Sequence, residues 1–380
     1  MRTLASQLSD RENNLSAVRI VAAALVMLSH SWLATVPGIQ TRDFFHIFGF
    51  SLGHHGVHVF FILSGLLLTW SMLRKPDPLR SMVARVVRYF PAIIVSCLIM
   101  TLVVGALVTR LPASGYYGSG QTWGFLASVI GLANVNATLP GVYENNVYPG
   151  ILYVPLWTLH YELAFSLTLS ILVATGAILR KGLVLAGLAV TLAIYTAWFW
   201  DGESHANLGS VHHLVRLGTA FGVGVAMAVF ADRIPVSWKG FAILAPLCAV
   251  FAYSHFAALA GIILLSYLIL CVGFTRNAVV GFLATLGTWS YGLYVSSFVI
   301  EQTVTHLAPH WPNWAISISS FAVAVTVGAI SWRYVEKPCL RYINPITDRV
   351  HGLAARLVGA EPPAPRGRRA KAPAAPRAAE

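Results

Sequence analysis

Four ionisable residues interrupt the long apolar stretches of this chain: Arg19, His30, Glu162 and Arg216. A charged group inside such a stretch is costly unless it is paired or faces a cavity, so each marks a place where binding or chemistry is expected. Arg19 and His30 lie in one apolar run, Leu15 to Val36. Their spacing of three helical turns plus about 20° puts both on one helix face, about 16 Å apart along the axis. On spacing alone, Arg19 equally suits a side chain reaching lipid phosphates, and His30 a hydrogen-bonded packing residue. Glu162 stands in WTLHYELAF, on a helix expected to enter from the opposite side at Pro155. Counted from the outer surface, Glu162 and His30 then fall at one depth. A carboxylate beside an imidazole suits acid/base work, because it can orient the ring and raise its basicity. A structural pair of Glu162 with a histidine or with Arg216 is the competing arrangement.

Other residues carry weaker signals. Ser64 and Gly65 break the aromatic and aliphatic run GVHVFFILSGLLLTW. The small pair allows a helix or ligand to approach closely, and Ser64 is a weak candidate nucleophile because no G-x-S-x-G elbow surrounds it. His54, His55 and His58 lie near the outer end of the same run, but no carboxylate accompanies them, so cavity lining or packing is expected rather than a metal site. Arg85 and Arg88, in RVVRYFP, share a helix face and can grip a phosphate bidentately; they also fit ordinary basic decoration of an inner loop. Gly218 and Gly222 form a GxxxG expected to pack helices. No Walker motif, dinucleotide fingerprint or HExxH is present.

Positioning these residues requires a membrane. The 380 residues are 57% hydrophobic and only 11% charged, far from the roughly one quarter charged of a soluble domain. This excludes a soluble enzyme, a disordered chain and a nucleic-acid module as first readings. An all-α, polytopic bundle of about ten transmembrane helices is expected, at 15–36, 56–73, 89–109, 155–179, 182–200, 213–231, 240–255, 256–274, 280–302 and 313–334. Lys and Arg alternate between loops: Arg74, Lys75, Arg80, Arg85 and Arg88 follow the second span and Arg180 and Lys181 the fourth, whereas the first two intervening loops carry Arg42 and Arg110 alone. That alternation places both termini in the cytoplasm. The net charge of +12 fits cytoplasmic loops and anionic lipid better than nucleic acid. Four scattered cysteines, without a CxxC, imply neither disulfides nor zinc. The polar loop 110–154 is expected to cap an outward cavity. The organisation is then a cytoplasmic segment 1–14, a membrane domain 15–345 and a basic, disordered cytoplasmic tail 346–380.

Together these motifs resemble the integral-membrane acyltransferase family 3, bacterial enzymes that O-acylate surface polysaccharides, over roughly residues 13–345. NNLSAVRIVAAALVMLSH looks like the family's Arg-x10-His helix, GVHVFFILSG its second-helix signature, RVVRYFP its Arg-x-x-Arg motif and WTLHYELAF its Trp-x-x-x-x-Glu segment; SYGLYV and YVEKP resemble later landmarks. Two positions depart from the pattern: His58 stands where the family often has Asp, and Ser297 near where it often has His. The resemblance implies a multi-pass enzyme of the bacterial inner membrane. It implies acyl-CoA, expected to be acetyl-CoA, as co-substrate, no metal, and a polysaccharide or lipid-linked glycan hydroxyl as acceptor. Arg19, Arg85 and Arg88 would hold the donor's phosphates. An extended phosphopantetheine arm is comparable in length to the Arg19–His30 separation. His30 would act as general base or carry the acyl group briefly, with Glu162 as its partner and Ser64 as a weak third candidate. The bilayer, the acyl-CoA and the glycan are the expected partners; homo-oligomerisation stays open. A proton-coupled transporter or exporter is the competing class, set back by the lack of internal repeats.

Overall fold

A backbone inside a bilayer must satisfy its N–H and C=O groups within its own segment, so apolar runs of this length become helices. A computed structural model describes residues 2–10, 13–38, 46–198 and 209–357. Arg42 and the tail from 358 onward lie outside them. In chain order the helices begin with α1 (Leu4–Ser9) and α2 (Leu15–Thr35). A small hairpin, β1 (His46–Ile47) and β2 (Phe50–Ser51), precedes α3 (Leu52–Arg74). Then α4 (Pro78–Ile99) runs through a π-helical turn into α5 (Gly105–Val108), followed by α6 (Ala113–Gly118) and α7 (Gly120–Ile130). Next come α8 (Trp157–Ala174), α9 (Lys181–Trp198), α10 (Gly209–Val229), α11 (Trp238–Ala249) and α12 (Ala257–Gly273). The last are α13 (Ala278–Gly287), α14 (Ser290–Leu307), α15 (Asn313–Ser331), α16 (Lys337–Leu340) and α17 (Ile343–Leu357).

Among the described residues, seven helices are long and apolar enough to cross a membrane, or up to eight if the bent pair α12–α13 is one span. They coincide with the first six expected spans and the last. The expected spans 240–255 and 256–274 correspond to the shorter α11 and α12, and α12 meets α13 at a bend of 106°. The expected span 280–302 is two helices, because the chain turns at Gly287, where an added Cβ would lie 1.8 Å from the Ser16 carbonyl of α2. Its second part, α14, carries Ser296, Ser297, Glu301, Gln302, Thr303 and Thr305 and is buried along most of its length. A helix that polar is tolerated because neighbouring helices, not lipid, surround it.

At the centre α3 packs on α2 and α10. The Ser64-Gly65 step does what its size suggests: a Cβ on Gly65 would sit 2.1 Å from the Phe221 carbonyl, and one on Gly224 2.1 Å from that of Ile62. The glycine that makes this crossing on α10 is therefore Gly224. Gly222 of the expected GxxxG faces open space, and Gly218 meets only the Phe165 ring.

Two irregular regions matter for the site. At the end carrying the Lys/Arg-rich loops, hereafter the basic end, α17 lies against the start of α4. Arg80 Nε donates to Asn344 Oδ1 at 3.2 Å, and His351 Nε2 lies 3.3 Å from Asp77 Oδ1. Residues 346–357, expected to belong to a disordered tail, are part of this helix, where Thr347 and Ala355 are buried, a feature that the Ala/Arg composition concealed. At the opposite end, segment 131–156 descends into the bundle along α14. Tyr143 Oη lies 2.8 Å from Thr303 Oγ1, Asn146 Nδ2 donates to the Gln302 carbonyl at 2.9 Å, and Tyr294 Oη donates to the Pro155 carbonyl at 3.0 Å. From Thr303 to Tyr294 the partners drop nine residues, about 13 Å of helix.

Candidate active site

The residues of RVVRYFP face the bundle interior from α4. Arg85, Arg88 and Tyr89 share a face by their spacing of three and four residues. They line a cavity of about 430 Å³ near the basic end, together with Arg19 of α2, Ser64 of α3, Glu162 of α8 and Tyr291 and Tyr294 of α14. Five helices thus converge on one chamber, with Arg80 and Ser81 also on its wall.

Glu162 organises the chamber. Its Oε1 accepts hydrogen bonds from Arg85 and Tyr89 and, at 2.7 Å, from Ser64 Oγ. Arg85 also donates to the Tyr89 hydroxyl at 2.5 Å. Tyr89 is fixed from behind, since Tyr291 Oη donates to its carbonyl at 3.0 Å. A guanidinium among the three donors on one carboxylate oxygen favours the ionised form of Glu162 and makes the Arg85–Glu162 pair part of a charge-assisted network. The side chains of Arg85 and Glu162 keep 12% and 17% exposure, enough to face the chamber. Ser64 spends its hydroxyl proton on Glu162, an arrangement that orients the carboxylate.

Arg19 and Arg88 differ from Arg85. Both line the chamber, and neither has a hydrogen-bond or ion-pair partner among the described residues. Two guanidiniums aimed into one cavity without a protein carboxylate of their own form a site for an anion.

The expected pairing of His30 with Glu162 does not form. Glu162 shares the chamber with Arg19, three turns of α2 from His30, and His30 does not line it. His30 instead packs edge-on against Phe298 of α14, ring centroids 5.5 Å apart. The physical reason is the descent of segment 131–156. Pro155 was expected at the outer surface; it lies at the level of Tyr294, so α8 starts deep and carries Glu162 toward the basic end. Arg216 also lies apart from Glu162, its guanidinium 5.8 Å from the Phe50 ring and 5.9 Å from that of Trp157. Nearby, His54 Nδ1 meets Ser51 Oγ at 2.9 Å, His55 Nε2 the Ile47 carbonyl at 2.7 Å, and His58 packs on Phe50. Among the described residues no group of three or more His, Cys, Asp or Glu could hold a metal.

Tyr89, Tyr291 and Tyr294 are functional candidates that sequence reasoning passed over. Tyr89 was findable, because it sits one turn beyond Arg85 within the motif. The two tyrosines of SYGLYV required the tertiary contact.

A family profile described as an acyltransferase domain, that of acyltransferase family 3, matches residues 12–333. The chain belongs to this acyltransferase family. The enzyme is 25% identical to Nodulation protein 10 of Rhizobium leguminosarum bv. viciae over 377 residues, covering 90% of this chain and 96% of that protein. It is 24% identical to the O-acetyl transferase of Shigella phage Sf6, covering 88% and 98%. It is 25% identical to the acyltransferase MdmB of Streptomyces mycarofaciens, covering 77% and 82%. No solved structure matches it significantly. The protein is thus a multi-pass membrane acyltransferase, and the chamber of Arg19, Arg85, Arg88 and Glu162 is its candidate active site.

Proposed function

We propose that this acyltransferase takes its acyl group, acetyl in the simplest case, from acyl-CoA entering at the basic end, and gives it to a hydroxyl of an exported or lipid-linked glycan. In this reading the enzyme resides in the bacterial inner membrane with the basic end and both termini in the cytoplasm, where the Lys/Arg excess belongs. The observation that carries it is the pair of guanidiniums without a partner among the described residues, Arg19 and Arg88, on the wall of the chamber beside the Arg85–Glu162 network. A coenzyme A donor carries phosphates that such a cluster can grip. The acyltransferase relatives include an O-acetyl transferase, which favours acetyl.

Acyl-CoA supplies the activated thioester. The chain's own contribution divides along α2. Arg19, with Arg88 and Arg85 from α4, binds at the basic end, while Glu162, Tyr89 and Ser64 hold Arg85 in place. His30, about 16 Å outward on α2, takes the proton of the acceptor hydroxyl as its oxygen bonds to the acyl carbon. The carbon–sulfur bond breaks, and the proton passes from His30 to the departing thiolate. The acceptor glycan approaches from the outer half, where segment 131–156 enters.

The test uses purified enzyme in detergent with acetyl-CoA labelled in the acetyl group and a glycan acceptor. Release of free coenzyme A thiol coupled to a labelled acceptor supports the reading. Failure of coenzyme A to bind the wild-type enzyme removes its donor half.

A further inference from the structure

One buried carboxylate has no use in the network described above. Glu301 of α14 is 0% exposed, and both its oxygens lack a hydrogen-bond partner among the described residues. An unsatisfied carboxylate in a membrane bundle costs several kcal/mol, so it is expected to serve a function. Its surroundings indicate which. Glu301 lies on the face of α14 that carries Tyr294 and Phe298, and Phe298 is the residue that packs on the His30 ring. The next turn outward on that face holds Thr305, whose hydroxyl is also enclosed without a partner.

The helix directions bring the two groups to one level. α2 and α14 pack directly, and both run from the chamber, which Arg19 and Tyr294 line, toward the level where His30 meets Phe298. Helical side chains lean back toward their own N-terminus, so the Glu301 carboxylate tips toward the level of Phe298 and hence of His30. His30 Nδ1 is likewise enclosed and without a partner among the described residues, whereas Nε2 is not among the enclosed, unpartnered atoms. Two complementary groups, an imidazole nitrogen and a carboxylate, therefore stand unsatisfied around Phe298.

We propose that Glu301 is the positioning carboxylate of His30, accepting a hydrogen bond from one bridging water that itself accepts from Nδ1–H, and so leaving the Nε2 lone pair for the acceptor hydroxyl. The inference rests on His30 as the base in the reading above and moves the carboxylate role from Glu162 to Glu301. Glu301 itself neither gains nor loses a proton in the transfer; it fixes the tautomer and strengthens Nε2 as a base, as carboxylates do for histidines elsewhere. A buried water with a carboxylate, an imidazole and the Thr305 hydroxyl around it would have the partners such waters require.

The test compares full-chain enzyme with Glu301→Gln and Glu301→Asp in detergent. Diethyl pyrocarbonate labels imidazole nitrogens, and mass spectrometry reads His30 against the exposed His310 in the same molecule. Glu301→Gln should slow His30 labelling several-fold relative to His310, and Glu301→Asp should restore part of it. In transfer assays Glu301→Gln should lower kcat by about tenfold or more, in the range of general-base effects, with donor and acceptor KM unchanged. A melting temperature at or above wild type shows that the Gln variant folds. His30 labelling at the wild-type rate in Glu301→Gln, or a His30 that the reagent never reaches, overturns the proposal. A wild-type enzyme that moves no acyl group from acyl-CoA removes the donor reading instead, and the labelling rates still decide the pairing.

Discussion

Tyr294 donates its hydroxyl to the Pro155 carbonyl at 3.0 Å, and this bond marks how far the outer segment reaches into the bundle. It sets the start of α8, and through α8 the depth of Glu162. The carboxylate consequently belongs to the chamber at the basic end and not to the level of His30.

The first prediction concerns donor binding. Arg19→Ala and Arg88→Ala should each weaken coenzyme A binding by about 1–3 kcal/mol, the range for charge-assisted hydrogen bonds. Neither should lower the melting temperature appreciably, because neither guanidinium has a partner to orphan among the described residues. Titration calorimetry in detergent measures the first effect and thermal unfolding the second. Unchanged affinity in both variants would reduce the cluster to a topological signal.

Glu162 should behave differently from a catalytic base. Glu162→Gln leaves Arg85 without its carboxylate, so it should cost stability of about 1–3 kcal/mol and weaken donor binding as well as turnover. Because Arg85 and Glu162 act through one bond, the Arg85→Ala/Glu162→Gln double variant should deviate from additivity by about 0.5–3 kcal/mol in unfolding experiments. Strict additivity would mean that the pair contributes nothing as a pair.

His30 should separate binding from chemistry. His30→Ala should lower acyl transfer by about 10²–10⁴-fold or more while coenzyme A binds as before, since His30 does not line the chamber. Acyl-His30 detected by mass spectrometry after rapid quenching would show that it carries the acyl group rather than acting as a base. Near-normal transfer by a folded variant would remove His30 from the mechanism.

The α3–α10 crossing offers a test of the fold. Gly65→Ala and Gly224→Ala each place a Cβ 2.1 Å from a backbone carbonyl and should destabilise by about 1–3 kcal/mol. Gly222→Ala, which meets open space, should fold as well as wild type. Thermal melts of the three variants decide whether Gly224 or Gly222 makes the contact.

Orientation can be measured directly. An impermeant thiol reagent added to intact cells should label Cys substituted at Asn136 and not at Asp232, both exposed positions. The reverse result would invert the enzyme and place the arginine chamber outside.

Much of this architecture was written in the sequence. Apolar runs of span length dictated helices, because lipid offers the backbone no hydrogen bonds. The four-residue geometry of RVVRYFP dictated that Arg85 and Arg88 share a face, and the eleven-residue spacing did the same for Arg19 and His30. Such periodic signals survive because they depend only on the local helix. The depth of Pro155, the partner of Glu162 and the choice of Gly224 over Gly222 were decided by tertiary contacts. Hydropathy treats 131–156 as a polar loop at the surface. It enters the bundle because Gln302, Thr303 and Tyr294 of α14 satisfy its backbone and side chains there. An irregular segment goes as deep as its hydrogen-bond partners allow, and those partners lie about 150 residues away in the chain, out of reach of any local pattern.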